Sequence, residues 1–233
     1  MSAIRRSTFL RLLALLSALT LSCRTVGPQN AKEFVDRSNA RNDGGDWDGA
    51  IADCTKAIAL NPKYATAYFK RGNAEMSKGD LDHAIADYSK AIEFNPSYDF
   101  AYNNRGNAEM TKGDLENAIA DYSKAIELYP RYDSAYNNRG NAKADKSDWD
   151  GAIADLTKAI ELNPKLATAY FNRGKVKENK RDLDGAIADF TKALELNPED
   201  ADAYTSRAGA RMDKGDQAEA IQDFDQAARL KNR

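Results

Sequence analysis

The sequence predicts an all-α fold, specifically an α-solenoid of six stacked helical hairpins. Three observations carry that expectation: a period of 34 residues without a gap, two helix-periodic apolar segments inside each period, and a Pro at one fixed slot near the end of five of the six.

The period is plain on alignment. GDLDHAIADYSKAIEFNP (79–96) repeats as GDLENAIADYSKAIELYP (113–130), SDWDGAIADLTKAIELNP (147–164) and RDLDGAIADFTKALELNP (181–198). GDWDGAIADCTKAIALNP (45–62) precedes these segments and GDQAEAIQDFDQAARLKN (215–232) follows them. The repeat array occupies 31–233, with units at 31–64, 65–98, 99–132, 133–166, 167–200 and 201–233. In the second unit Ala67, Tyr68, Gly72 and Ala74 mark a first helix. Ala84, Ile85, Tyr88, Ala91 and Ile92 recur at helical spacing in a second. Gly79-Asp80 separates the two, with Asp80 placed to cap the second helix, and Asn95-Pro96 ends it because Pro cannot continue the hydrogen-bond ladder. No hairpin buries its apolar side alone, so each must stack on the next.

The composition bounds what such an array can do. Apolar residues make up 42% and charged residues 30%, as in a folded chain. Lys and Arg number 34 against 36 Asp and Glu, so no net field draws the protein to nucleic acid, and a local surface must select the partner. The single His, His83, is expected on a solvated face, and no Cys/His spacing suits a metal. No cofactor and no catalysis are expected. Cys54 stands where other units carry Tyr, Leu or Phe and reads as a small core residue.

Residues 1–22 differ from the rest. Arg5, Arg6 and Arg11 precede the apolar run Leu12–Leu21, which meets Ser22-Cys23, the layout of a secretory signal. The run is short of the roughly 20 apolar residues a bilayer span needs. Residues 23–30 read as a short linker. The stretch Leu19-Thr20-Leu21-Ser22-Cys23 resembles the lipobox of bacterial lipoproteins, with Thr20 and Leu21 transposed relative to the usual order. The resemblance implies lipidation of Cys23; ordinary cleavage with release into the periplasm is the alternative. Membrane association would come only through that lipid.

The unit itself, with Tyr68, Arg71-Gly72, Glu75, Ala84, Tyr88, Ala91 and Pro96, resembles the tetratricopeptide repeat (TPR), and the match covers 31–233. It implies a right-handed superhelix whose first helices line a concave groove, and a non-catalytic scaffold that binds an extended peptide or partner protein. A self-assembling element that forms homo-oligomers through its terminal repeats is the alternative.

The chain departs from that pattern at the seventh position, where the family's Leu is Arg in every unit: Arg37, Arg71, Arg105, Arg139, Arg173 and Arg207. Each second helix carries an Asp before its aromatic slot: Asp53, Asp87, Asp121, Asp155, Asp189 and Asp223. Opposite charges in every copy, on helices that pack together, are expected to pair, as in Arg71–Asp87, Arg105–Asp121 and Arg139–Asp155.

The asparagines lie on another stripe. Asn39, Asn73, Asn107 and Asn141 hold the ninth position, Asn103 and Asn137 the fifth, and Asn104, Asn138 and Asn172 the sixth. This row resembles the asparagine ladder in the repeats of O-linked N-acetylglucosamine transferases, which implies amide contacts to a peptide backbone. Bonding between neighbouring first helices is the structural alternative. Phe69, Met76, Met110 and Phe171 are expected to add apolar contact to the groove. The Lys and Arg set of a chaperone-tail clamp is absent from every three consecutive units.

Overall fold

A computed structural model describes residues 28–232, so the signal, Cys23 and most of the linker lie outside the described residues. Among the described residues twelve helices follow in hairpin pairs: α1 (Pro28–Asp43) with α2 (Trp47–Leu60), α3 (Ala65–Lys78) with α4 (Leu81–Phe94), and α5 (Asp99–Thr111) with α6 (Leu115–Leu128). Then come α7 (Asp133–Asp145) with α8 (Trp149–Leu162), α9 (Ala167–Asn179) with α10 (Leu183–Leu196), and α11 (Ala201–Lys214) with α12 (Gln217–Lys231). The first helix starts at Pro28, so 28–30 are helical rather than linker; Pro at the start of a helix gives up a backbone donor that would have no partner there.

The turns and caps follow from local chemistry. Asp46, Asp114, Asp148 and Asp182 accept the backbone N–H three residues on, at 3.0, 3.3, 3.0 and 3.0 Å, and Asp80 does the same for His83. Between the helices of a hairpin the chain takes a left-handed step, with φ of 80° at Gly79 and 82° at Gly113. Ser147 and Arg181 make the same step at 63° and 64° without glycine's freedom. His83 is exposed and sits 2.8 Å from Asp80, whose carboxylate pushes its pKa up.

Each hairpin packs on its successor, and first helices of adjacent hairpins touch one another while second helices do not. The array therefore curves with the odd-numbered helices inside, an α-solenoid. Alanines at the interfaces (Ala84, Ala118, Ala152 and Ala186) are fully buried and let helices approach closely.

Within a hairpin one glycine receives the large side chain of the partner helix. A Cβ on Gly72, Gly106 or Gly174 would lie 2.9, 2.8 or 2.7 Å from Tyr88, Tyr122 or Phe190. The terminal units trade these volumes. Ser38 occupies the slot opposite the smaller Cys54, with the thiol 3.2 Å from its hydroxyl, and burial pushes the Cys54 pKa up. At the other end Ala208 takes the slot and Phe224 is 42% exposed. Gly106→Ala is expected to lose stability in urea unfolding, because overpacking a well-filled core costs about 1–3 kcal/mol and outweighs a helix-propensity gain of up to about 1 kcal/mol.

Candidate functional site

The Arg and Asp of each unit meet within their own hairpin. Arg71 donates from Nε to Asp87 Oδ2 at 2.5 Å and from Nη2 to Oδ1 at 2.8 Å. Arg105 reaches Asp121 at 2.6 and 2.7 Å, and Arg139 reaches Asp155 at 2.8 and 2.7 Å. Arg37–Asp53, Arg173–Asp189 and Arg207–Asp223 share this forked geometry. The guanidinium also lies over the ring three residues earlier, 5.7 Å from Tyr102 in the case of Arg105. Its remaining nitrogen crosses to the previous hairpin: Arg71 to Thr55 at 3.1 Å, Arg105 to Ser89 and Arg139 to Ser123 at 3.0 Å. This Ser/Thr position was overlooked in the sequence. The signal was there, because the slot is Thr or Ser in five of the six units and Asp225 in the sixth.

A second group beside the Asp varies between units. Lys143 and Lys177 bond Asp155 and Asp189 at 2.7 and 2.8 Å, and Arg211 bonds Asp223 at 2.6 Å. The same slot holds Glu75 in the second unit and Glu109 in the third, each with a buried Oε2 that has no hydrogen-bond partner among the described residues. Burial, with Asp87 and Asp121 adding to it, pushes both carboxyls up to about 7 against the pull of Arg71 and Arg105.

On the inner face the amides are partly occupied with one another. Asn73 Oδ1 accepts from Tyr88 Oη at 2.9 Å and from Asn104 Nδ2 of the next hairpin at 3.0 Å. Asn107 Oδ1 accepts likewise from Tyr122 at 2.9 Å and Asn138 at 3.0 Å. Asn138 also donates to Asn103 and Asn172 donates to Asn137, at 3.1 and 3.0 Å. Within a helix, Asn103 donates to Asn104 and Asn137 to Asn138. With each oxygen saturated by two donors, Asn73 and Asn107 are left with Nδ2 donors that meet no acceptor among the described residues.

Four of the expected groove residues lie elsewhere. Asn103 and Asn137 are 5% and 9% exposed and act as struts between hairpins rather than as groove contacts. Phe69 is 7% exposed, held between the rings of Tyr88 and Tyr98 at 5.9 and 4.8 Å, so it belongs to the core. Phe171 is half-buried against Phe190 at 5.8 Å. Met76 and Met110 do border open space. Cavities follow one another along the inner face: about 390 Å³ beside Asn39 and Asn42, about 280 Å³ beside Asn73, Met76 and Asn107, and about 500 Å³ beside Met110 and Asn141. Asn42, which the sequence did not flag, borders the first two, and its buried Oδ1 has no hydrogen-bond partner among the described residues.

A curved stack of helical hairpins with an amide-lined inner face defines the class of helical repeat scaffolds. A family model described as TPR repeat matches four times, at residues 39–75, 72–111, 106–147 and 140–180, and a second described as Tetratricopeptide repeat matches 171–232. The chain belongs to the tetratricopeptide repeat family. No curated protein sequence matches it. Among solved structures it is similar to MamA, at 30% identity over 69% of this chain and 94% of that one, with a TM-score of 0.63. It is also similar to YrrB, described as a TPR protein with an unusual peptide-binding site, at 28% identity over 76% and 91%, TM-score 0.61. PilF of Pseudomonas aeruginosa shares the fold at 17% identity, covering 87% and 92%, with a TM-score of 0.78.

Proposed function

We propose that the chain is a non-catalytic scaffold that binds an extended peptide segment of a partner protein along its inner face. The observation that carries this reading is that Asn73 and Asn107 have their oxygens saturated internally while their Nδ2 donors meet no acceptor among the described residues. An extended peptide supplies backbone carbonyls as acceptors whatever its side chains, so such a row recognises conformation before sequence. The similarity to YrrB, a protein described by its peptide-binding site, supports the same class of ligand. Export and retention in the bacterial envelope, with Cys23 lipidated or the chain released into the periplasm, complete the proposal. It draws on the charge-then-apolar layout of residues 1–22.

The test replaces Asn73, Asn107 and Asn141 together with Asp. Asp keeps the acceptors that Tyr88, Asn104, Tyr122 and Asn138 use and puts a carboxylate oxygen, which repels a peptide carbonyl, in place of each outward donor. Crosslinking in native cells, read by mass spectrometry, is expected to recover inner-face partners at less than about a tenth of the wild-type yield, as loss of two or three hydrogen bonds predicts. Undiminished crosslinks at an unchanged melting temperature would remove the amides from recognition. A lipoprotein signal peptidase inhibitor is expected to leave the precursor unprocessed if Cys23 is lipidated.

A second reading, self-association through the last hairpin, rests on Ile221 and Phe224, 58% and 42% exposed, at positions that following hairpins cover elsewhere. Light scattering over a concentration series should then show a dimer that Phe224→Asp dissolves. A monomer at every concentration sinks this reading.

A further inference from the structure

We infer that the cavity between α7, α8 and α9 is a side-chain pocket that takes one bulky apolar residue of an extended peptide, with the Asn141 amide holding that residue's backbone. The inference rests on the peptide-groove reading above and adds to it a position and a side-chain class.

Two differences in the fourth unit shape the site: Ala144 enlarges the cavity and Leu156 leaves the Asn141 oxygen without a donor. In the second and third units the twelfth position is Met76 and Met110; in the fourth it is Ala144, which leaves the space unfilled. The aromatic slot of the second helix is Tyr88 and Tyr122 in those units, and Leu156 in the fourth. Leu156 has no hydroxyl to donate. The ladder partner from the next hairpin is missing as well, because Asn172 Nδ2 turns to Asn137 Oδ1 at 3.0 Å. The Asn141 amide therefore engages no side chain among the described residues. It keeps both its donor and its acceptor, whereas Asn73 and Asn107 keep only donors.

The resulting cavity measures about 500 Å³, against about 280 Å³ where Met76 and Tyr88 fill the equivalent space. Met110, Ala144, Trp149 and Val176 give it an apolar lining, and Asn141 and Asn172 lie among its polar borders. An extended peptide exposes one N–H and one C=O per residue on the same edge, which a free carboxamide can satisfy together. The side chain of that residue then displaces water from the apolar lining, worth roughly fourfold in affinity for each buried methylene. One free amide beside one unfilled apolar space is the geometry of a single anchored residue.

The experiment uses blocked amino acids as probes on the whole folded chain. N-acetyl-leucine methylamide and N-acetyl-alanine methylamide present the same backbone and differ only in the side chain. Titration is followed by nitrogen–proton correlation spectra at the Asn141 carboxamide and the Trp149 indole N–H. The leucine probe is expected to shift both signals and to bind at least about tenfold tighter than the alanine probe. Ala144→Met, which installs the residue found at Met76 and Met110, is expected to weaken the leucine probe at least tenfold. Leu156→Tyr, opposite Gly140 as Tyr122 is opposite Gly106, should occupy the Asn141 oxygen and weaken both probes. Equal affinity for the two probes, or binding untouched by Ala144→Met, overturns the pocket. Shifts confined to the Asn73 and Asn107 carboxamides overturn it while leaving the groove reading intact. Silence at all three asparagines overturns the pocket and counts against the groove as well.

Discussion

Arg105→Leu is expected to destabilise the protein by about 3–5 kcal/mol, the cost of leaving a buried carboxylate without its counter-ion. Asp121 is 6% exposed, receives both prongs of the Arg105 fork and has Glu109 on its other side. Removing the guanidinium strands two neighbouring carboxyls and severs the bond to Ser89 in the preceding hairpin. Asp121→Ala is expected to cost less, about 1–3 kcal/mol, because the Arg105 side chain is 21% exposed and can carry its charge to water. The double variant Arg105→Leu/Asp121→Ala restores the family's apolar residue and removes the orphaned acid, so it should be more stable than Arg105→Leu alone. Urea unfolding of the four proteins measures the coupling directly. If Arg105→Leu alone proves as stable as the double variant, the fork does not matter to the fold.

Stability is expected to fall between pH 5 and pH 8, the reverse of what paired carboxylates give. Glu75 and Glu109 titrate near 7 in the folded chain against an ordinary value of 4.5. The folded state therefore holds up to two more protons than the unfolded state within that window, and stability drops as pH rises through it. A shift of this size corresponds to up to about 3 kcal/mol per carboxyl. The cause is local: the slot that Lys143 and Lys177 fill with a partner for Asp155 and Asp189 is acidic in the second and third units. Glu75→Gln/Glu109→Gln should flatten the slope, and Glu75→Lys should raise the melting temperature at pH 8 by supplying Asp87 with the partner that the later units have. A wild-type slope that survives in the double Gln variant would falsify this assignment.

Much of the fold was legible because its determinants are local. Asp80 followed by an apolar-periodic run, and Asn95-Pro96 after it, fix one helix whatever surrounds them. Repetition then multiplies the signal, since one ambiguous turn is read six times. Phe69 shows the limit. Its stripe position suggested the groove, but a ring has reach, and Tyr88 and Tyr98 from two other segments enclose it. Asn103 and Asn137 failed for a related reason. Periodicity tells which stripe an amide occupies and not whether a neighbour 31 or 35 residues away already claims it.

By itself the sequence determined the helices, their caps, the hairpin period and the need to stack, all of which follow from backbone chemistry and from the spacing of apolar residues. It also carried the opposed charges of Arg105 and Asp121, because two invariant slots in a repeat can be compared by eye. Only the tertiary structure decided which amides keep a free hydrogen, that Asn141 keeps both functions, and that Ala144 leaves a space rather than a tighter contact. Those outcomes depend on how far and at what angle one hairpin stands from the next. Side-chain hydrogen bonds and cavities change over a few tenths of an ångström, a distance that helical periodicity does not encode.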